Sequence, residues 1–346
     1  MKYLAVLGRQ PEISIAELEA SNFCTDINRL GGTQKLAAKL EEKPLDFLRK
    51  LPDGKITLGV SDYSERASKK SATLEALKLK KILVRHGRSV RVVENKDAVL
   101  STATSLHNGL SGKNERKVEL IKVNDEWYKV IGVQDIDAYA KRDQARPARD
   151  AKVGMLPPKL AQILINLCGP LKPGSTILDP FCGTGVVLQE ALLMGHHAYG
   201  TDISERMIEY SEKNLKHFNF ENYKLEVSDA TDHKWSENVD AVACEGYLGR
   251  PMSNIPPEIK LKTEKQECGR IILGFLQNLS TQIKSGVPVV VAAPAWLRED
   301  GSYSRLEILD EILKMGYNVS NKTLEGLLYA RVGQVVARDI IILRKN

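Results

Sequence analysis

The sequence predicts an α/β protein whose C-terminal half is a mostly parallel, doubly wound sheet, preceded by a smaller and more basic α/β region. Residues 178–185 read Leu-Asp-Pro-Phe-Cys-Gly-Thr-Gly, where a short apolar run ends at Asp179 and a helical pattern starts at Val186. Two further strand readings, 197–202 and 223–228, also lead to acids, Asp202 and Asp229. The run Val287-Pro-Val-Val-Val-Ala-Ala is what a strand buried on both faces looks like. Strands alternating with helices in this way build parallel sheets with crossovers on both sides. At 346 residues the chain exceeds one core of ordinary size, and two or three domains are expected.

From the N-terminus, residues 1–54 read as a small strand-and-helix module. Tyr3-Leu-Ala-Val-Leu opens it as a strand, Gly31-Gly32 marks a break and Pro52-Asp-Gly a turn. Residues 55–139 give a strand at 56–60, a helix over 71–87, a strand at 89–93, a helix around 97–107, and strands around 118–123 and 127–133. Residues 1–150 hold 28 Lys+Arg against 21 Asp+Glu, whereas 151–346 hold 22 and 23, so the overall +6 originates in the N-terminal part. Nine cations between Arg66 and Arg91, among them Lys78, Lys80, Lys81, Arg85, Arg88 and Arg91, face the single acid Glu75. Leu74, Leu77, Ile82 and Leu83 should dock that helix on a sheet while the cations meet phosphate. A charge run is ordinarily a solvated helix face, and the nearly one-sided sign is what favours RNA here. Residues 140–154 carry Arg142, Arg146 and Arg149 with few apolar side chains, and read as a linker and a further RNA contact.

The module from 155 to 346 should form seven strands, at 175–179, 197–202, 223–228, 239–244, 287–293, 323–330 and 335–343. Gly183 and Gly185 let the backbone turn and approach a ligand with no Cβ in the way. Any strand-to-helix turn could use them, but acids at three successive strand ends point to a nucleotide-like ligand at the carboxyl edge of the sheet. A dinucleotide G-x-G-x-x-G would need a third glycine, which is absent; the acid, proline and aromatic ahead of the glycines suit S-adenosyl-L-methionine better. Asp179, Pro180, Phe181, Gly183, Thr184 and Gly185 would form its loop. Asp202, 23 residues after Asp179, would accept from the ribose hydroxyls with Ile203 beside it, and Asp229 with Ala230 would hold the adenine edge.

Asp179-Pro-Phe-Cys-Gly-Thr-Gly resembles the cofactor loop of the amino-methylating class of S-adenosyl-L-methionine-dependent methyltransferases. Residues 146–167, from Arg146-Pro-Ala-Arg through Gly154-Met-Leu-Pro-Pro-Lys-Leu-Ala-Gln to Leu167, are similar to the segment that leads into that domain in the THUMP-containing tRNA guanosine-10 N2-methyltransferases. The upstream region, including Leu100-Ser-Thr-Ala-Thr-Ser-Leu-His-Asn, resembles a THUMP domain, so the resemblance spans about the whole chain. It implies a ferredoxin-like module at 1–54, a THUMP-type RNA-binding domain at 55–139, a linker at 140–154, and a Rossmann-like, mostly parallel seven-stranded methyltransferase sheet at 155–346. The implied reaction methylates the exocyclic N2 amine of a guanosine in tRNA, at position 10. The fourth strand end departs from the class, which carries Asp-Pro-Pro-Tyr or a close variant where this chain has Cys244-Glu245-Gly246-Tyr247. Glu245, with the carbonyl of Glu245 or Gly246, could accept the amine's N–H bonds, Tyr247 could stack on the base, and Cys244 would pack at the strand end. A DNA adenine N6-methyltransferase and a non-catalytic RNA-binding protein that keeps the cofactor fold stand as alternatives.

No stretch approaches the roughly 20 apolar residues of a spanning helix, and no cationic start with a small-residue cleavage site opens the chain. A cytoplasmic protein is expected, with tRNA as partner and no membrane. The five cysteines form no C-x-x-C pair and no metal spacing with the six histidines, so no metal is expected. A small activating subunit, the number of methyl groups added and the oligomeric state are left open.

Overall fold

A computed structural model describes residues 2–150 and 155–346. Residues 151–154, part of the expected linker and of the segment resembling the tRNA enzymes, lie outside the described residues. The first 144 residues run β1 (Tyr3–Leu7), α1 (Pro11–Ala20), β2 (Thr33–Lys39), α2 (Pro44–Arg49), β3 (Ile56–Asp62), α3 (Lys69–Arg85), β4 (Val90–Val92), α4 (Thr102–His107), β5 (Lys117–Val123), β6 (Glu126–Val133) and α5 (Ile136–Gln144). Two units emerge. One takes residues 1–9, 24–28 and 33–139, the other residues 10–23, 29–32 and 140–346.

The first unit is one six-stranded sheet in the order β1-β2-β6-β5-β3-β4. The division expected at residue 54 is therefore not a division of the sheet. Two strands from residues 1–54 could not stand alone; β2 completes its hydrogen bonding on β6, with Ala38 opposite Lys129. A buried ion pair links the strands. Lys35 on β2 donates to Glu119 of β5 at 2.6 Å and to the Leu100 carbonyl at 2.7 Å, and Glu119 also accepts from Ser61 and Ser105, each at 2.6 Å. Both charges are almost fully buried, and the three added partners satisfy groups that the pair alone would leave open.

Helix α3 begins two residues earlier than the sequence suggested, because Ser68 and Ser71 cap each other reciprocally. Its docked face also differs. Ala72, Ala76, Leu79 and Leu83 are buried against the sheet, while Leu74 and Leu77 are each 47% exposed. The alanines let the helix lie close, and that choice of row rotates the two leucines outward among Lys78, Lys81 and Arg85.

The second unit continues with α6 (Pro158–Leu167), β7 (Thr176–Asp179), α7 (Val186–Leu193), β8 (His197–Asp202), α8 (Glu205–His217), β9 (Tyr223–Val227), β10 (Ala241–Glu245), α9 (Glu258–Ser280), β11 (Pro288–Leu297), β12 (Tyr303–Ser304), α10 (Leu309–Lys314), β13 (Tyr317–Val319), α11 (Asn321–Glu325), β14 (Leu328–Tyr329) and β15 (Val336–Lys345). The sheet path is β13-β15-β11-β10-β7-β8-β9, with β12 on β11 and β14 on β15. Strands β7 to β11 run parallel and β15 is antiparallel to β11 and β13. This is the mostly parallel Rossmann-like arrangement expected, with seven strands along its main path. One strand differs. Of residues 323–330, expected to extend throughout, Leu328–Tyr329 do so as β14 on β15, while Ser320 caps a short helix over Asn321–Glu325 by accepting from the Lys322 N–H, and β13 takes the edge position of the main path. Alternate residues divide between the faces: Ile177, Ala243 and Val290 pack with α6 and α7, whereas Leu178, Cys244 and Val291 pack with α9.

Helix α1 packs on α6 in this unit, through Ile13 and Ala16. Glu17 is fully buried there and accepts from the Gly31 and Gly32 N–H groups at 2.8 Å each and from Asn166 Nδ2 at 2.7 Å. A Cβ at Gly31 would lie 2.1 Å from the Lys159 carbonyl oxygen, so the turn accepts only glycine. Burial pushes the Glu17 carboxyl up to about 7 in spite of those donors. Because the folded value exceeds the unfolded one, the folded state holds the proton more tightly, and this group's contribution is lost as pH rises through about 7. Urea titrations between pH 4.5 and 7.5 should show wild-type stability falling by up to about 3 kcal/mol more than that of Glu17→Gln, which cannot titrate. Parallel pH profiles would contradict the assignment.

Candidate active site

At the carboxyl edge of the parallel strands, β7 delivers Asp179, β8 Asp202, β9 leads to Asp229 and β10 delivers Glu245. Parallel pairing fixes this coincidence, since Asp179 is level with Gly200 and Val242 with Leu178. Asp179 is 2% exposed and accepts from the Phe181 N–H at 3.1 Å. Burial pushes its carboxyl well above the usual range, and the neighbouring Asp202 and Glu245 charges push the same way. Asp202 accepts from the Gly183 N–H at 3.0 Å and from the Ser204 N–H at 2.9 Å, so one carboxylate ties the glycine turn to the start of the next helix. Its value is also raised by burial. Asp229, more exposed, accepts from the N–H and hydroxyl of Thr231, and these bonds hold its carboxyl below the usual range.

The turn itself matches the local demands of the sequence. Gly183 has φ +52° and Gly185 +81°, conformations that side chains rarely adopt. A Cβ at Gly183 would meet only the Phe181 carbonyl oxygen, at 3.9 Å, so the backbone there faces open space. Ser211 Oγ donates to the Gly183 carbonyl at 2.7 Å and Asn214 to the Thr184 carbonyl at 2.9 Å, which leaves the N-terminal end of α7 fixed from α8. Phe181 turns away to meet Phe275 of α9 edge-on at 5.3 Å, Ala230 is buried, and Ile203 is 71% exposed at the rim.

Glu245 is half-buried and receives Arg338 Nε of β15 at 2.8 Å. Burial raises its carboxyl and the Arg338 guanidinium opposes that shift. Gly246 donates its N–H to the Ala292 carbonyl at 3.0 Å, a ladder bond that a proline could not make. Tyr247 packs against the α9 side of the core, and Cys244 is fully buried with its thiol pushed well up, a neutral packing group.

The cations divide. Lys78, Lys81 and Arg85 lie exposed on α3 with Lys80 half-buried, while Arg88 donates to the Leu51 and Pro52 carbonyls and Arg91 to Asn108. Arg149 is exposed. Arg142 pairs at 2.8 Å with Glu190, which is fully buried on α7, and Arg146 is 3% exposed with Nη1 on Thr184 Oγ1 at 3.2 Å. Burial takes Arg146 off the surface that phosphate could reach, while the half-buried Arg142 is engaged with Glu190. The sequence reading missed Arg338, Glu190 and the inward turn of Arg146; only Arg338, next to Asp339 in a largely apolar strand at 336–343, carried a signal. Among the described residues no cluster could hold a metal ion, and no helix is long and apolar enough to cross a membrane.

Fold and site together are a mostly parallel, Rossmann-like α/β domain with carboxylates and an open glycine turn at the carboxyl edge of its strands. Residues 171–319 match the family model described as a methyltransferase domain, and residues 84–213 one described as a DNA methylase. The tRNA (guanine(10)-N2)-dimethyltransferase of Methanothermobacter thermautotrophicus is 36% identical over 157 residues, 45% of this chain and 44% of that protein. Its namesake in Pyrococcus abyssi is 44% identical over 79 residues, 23% of each chain, and that of Methanocaldococcus jannaschii 29% identical over 188 residues, 52% and 53%. The chain thus spans about half or less of the length of the curated relatives it matches. The TrmN structure from Thermus thermophilus aligns with a TM-score of 0.46 at 18% identity, covering 91% of this chain and 84% of that one.

Removing Asp202 should both free the Gly183 turn and remove an acceptor. Asp202→Ala is expected to weaken S-adenosyl-L-methionine binding by about 1 to 3 kcal/mol with the fold intact. Unchanged affinity by calorimetry would remove Asp202 from the cofactor site.

Proposed function

We propose that this chain is a tRNA methyltransferase that moves a methyl group from S-adenosyl-L-methionine to the exocyclic N2 amine of a guanosine, at the position 10 named in its relatives. The convergence of Asp179, Asp202, Asp229 and Glu245 on one sheet edge is the observation that carries the reading. The bound donor supplies an activated sulfonium methyl group. This chain's residues do the rest. Asp202 and Asp229 accept from the nucleoside part, and Gly183 and Gly185 bring backbone close to it. Glu245, anchored by Arg338 through Oε1, offers Oε2 to the guanine amine and favours the loss of its proton. Tyr247 stacks on the base presented out of the RNA helix. Arg338 acts through Glu245 and is a positioning residue.

We read the first unit as the RNA-binding, THUMP-type region. Support comes from the exposed cations of α3 and from the groove between α3 and the edge strand β4, lined by Lys55, Leu77, Lys80 and Arg91, with a volume of about 590 Å³. We infer a cytoplasmic location as the one that fits this reading. Because the DNA-methylase match spans the cofactor loop, the decisive assay offers both substrates. Unmodified bulk tRNA and DNA incubated with labelled donor should give N2-methylated guanosine from tRNA alone. Methylated adenine in DNA would overturn the reading, and no transfer to any RNA would favour a binding protein.

Two sets of substitutions test the division of roles. Glu245→Gln keeps size and removes charge, so single-turnover rates should fall by about two to four orders of magnitude with both affinities nearly unchanged. Tyr247→Ala should cost about 1 to 3 kcal/mol while Tyr247→Phe stays close to wild type. A Glu245→Gln enzyme as fast as the parent would leave the backbone carbonyls as the grip on the amine. Replacing Lys80, Lys81 and Arg85 together by Glu should weaken tRNA binding and flatten its salt dependence by up to about one unit per lost contact, with donor affinity untouched. Binding that survives at moderate salt would make α3 a merely solvated face.

A further inference from the structure

The antiparallel ribbon of β11 and β15 runs on past the carboxyl edge of the parallel strands. Glu245, the last residue of β10, is level with Ala292, whereas β11 continues to Leu297 and pairs Pro294 with Arg338 and Trp296 with Val336. Strand β14 borders this ribbon, with Tyr329 opposite Arg338, and residues 330–335 join β14 to β15. That tip is held at both ends. The Ala330 carbonyl accepts from Gln10 Nε2, and Gln334 Oε1 accepts at 3.3 Å from Nη1 of the same Arg338 whose Nε grips Glu245. Between the two ties lie Arg331, the fully exposed Val332, and Gly333, whose φ of +82° turns the chain where a Cβ would meet nothing within 4 Å.

Arg331 is exposed, yet its guanidinium is anchored. Nε donates to the Tyr329 hydroxyl at 3.2 Å, and the Tyr329 ring, itself packed on the α6 side of the core, has its centroid 5.8 Å from Arg331 Cζ. No carboxylate among the described residues pairs with it: Glu245 is met by Arg338, and Asp339 by Arg305 at 3.7 Å. Its charge is nonetheless felt at Glu245, where burial raises the carboxyl and Arg338, then Arg331, oppose the rise. An anchored guanidinium with its paired Nη donors unused fits a phosphate, which its fork can grip at two oxygens. A guanosine whose amine meets Glu245 brings its two flanking phosphates within one nucleotide's length of that carboxylate. Resting on the tRNA methyltransferase reading above, we propose that Arg331, held by Tyr329, binds a phosphate next to the guanosine being methylated and so fixes the register of that nucleotide against Glu245. The second unit then grips the RNA backbone through a residue of its own.

Unmodified tRNA assembled from synthetic pieces, with each of these two phosphates in turn replaced by an uncharged methylphosphonate, tests the contact on the full chain. Single-turnover methylation is measured with enzyme in excess over tRNA but below saturation. Wild type should slow about 10-fold on one of the two neutral linkages, the low end for hydrogen bonds to a charged group. Arg331→Gln should lose about the same factor on the fully charged tRNA and nothing further on that neutral one, because the two changes remove one contact. Arg331→Lys keeps the charge without the fork and should recover part of the rate. Unchanged donor affinity, by calorimetry, shows that both variants keep the fold. An Arg331→Gln enzyme as fast as wild type on charged tRNA would overturn the proposal. So would losses that multiply for both linkages, since Arg331 would then act only on the charge of Glu245. Wild type that methylates no tRNA would instead overturn the methyltransferase reading.

Discussion

Desolvation of carboxylates at one edge of a parallel sheet is the constraint on which the second unit turns. Parallel pairing brings β7, β8 and β10 to an end together, and each ends in an acid that burial would rather keep neutral. The molecule answers each differently. Asp202 recruits two backbone N–H groups, and in doing so fixes the conformation of the glycine turn. Glu245 recruits an arginine 93 residues away. Asp179 receives one N–H and keeps the most strongly raised carboxyl of the three, poised to ionise against donors or positive charge.

The same logic of compensating buried charge recurs in the supporting structure. Lys35 and Glu119 in the first unit are sealed but surrounded by Ser61, Ser105 and the Leu100 carbonyl. Glu17 and Asn166 anchor α1 and the Gly31-Gly32 turn onto α6. Arg142 neutralises Glu190 beneath the cofactor loop, so the helix that begins at Gly185 is held by charge as well as by apolar contacts. Arg146 is buried with its Nε unpaired among the described residues.

Much of this was legible in the sequence because it is local. The alternation of strands and helices, the apolar run at 287–293 and the acids closing successive strands each follow from a few neighbouring residues, and the sheet path follows from them. Boundaries set by competition were harder to read. Ser68 and Ser320 act as helix caps, which shifted the start of α3 and turned the first part of an expected strand into α11. On α3, hydrophobicity alone ranks Leu74 and Leu77 above Ala72 and Ala76, whereas close approach to the sheet selects the alanines. The pairing of Lys35 with Glu119, or of Arg338 with Glu245, cannot be read from either neighbourhood alone, and the arginines at 142 and 146 look like part of a linker until Glu190 on α7 and Thr184 in the turn before it are in place.

The central claim, that a cluster of carboxylates disfavoured by burial is completed by the donor, is tested most directly by the protons exchanged on binding. Calorimetric titration with S-adenosyl-L-methionine in buffers of different ionisation enthalpy, between about pH 5 and 8, measures that exchange. If Asp179 and Asp202 ionise against the ligand, binding releases protons, and the release shrinks in Asp202→Ala. Binding heats that do not depend on the buffer at any pH in this range would show the carboxylates already charged in the empty site and would contradict the account.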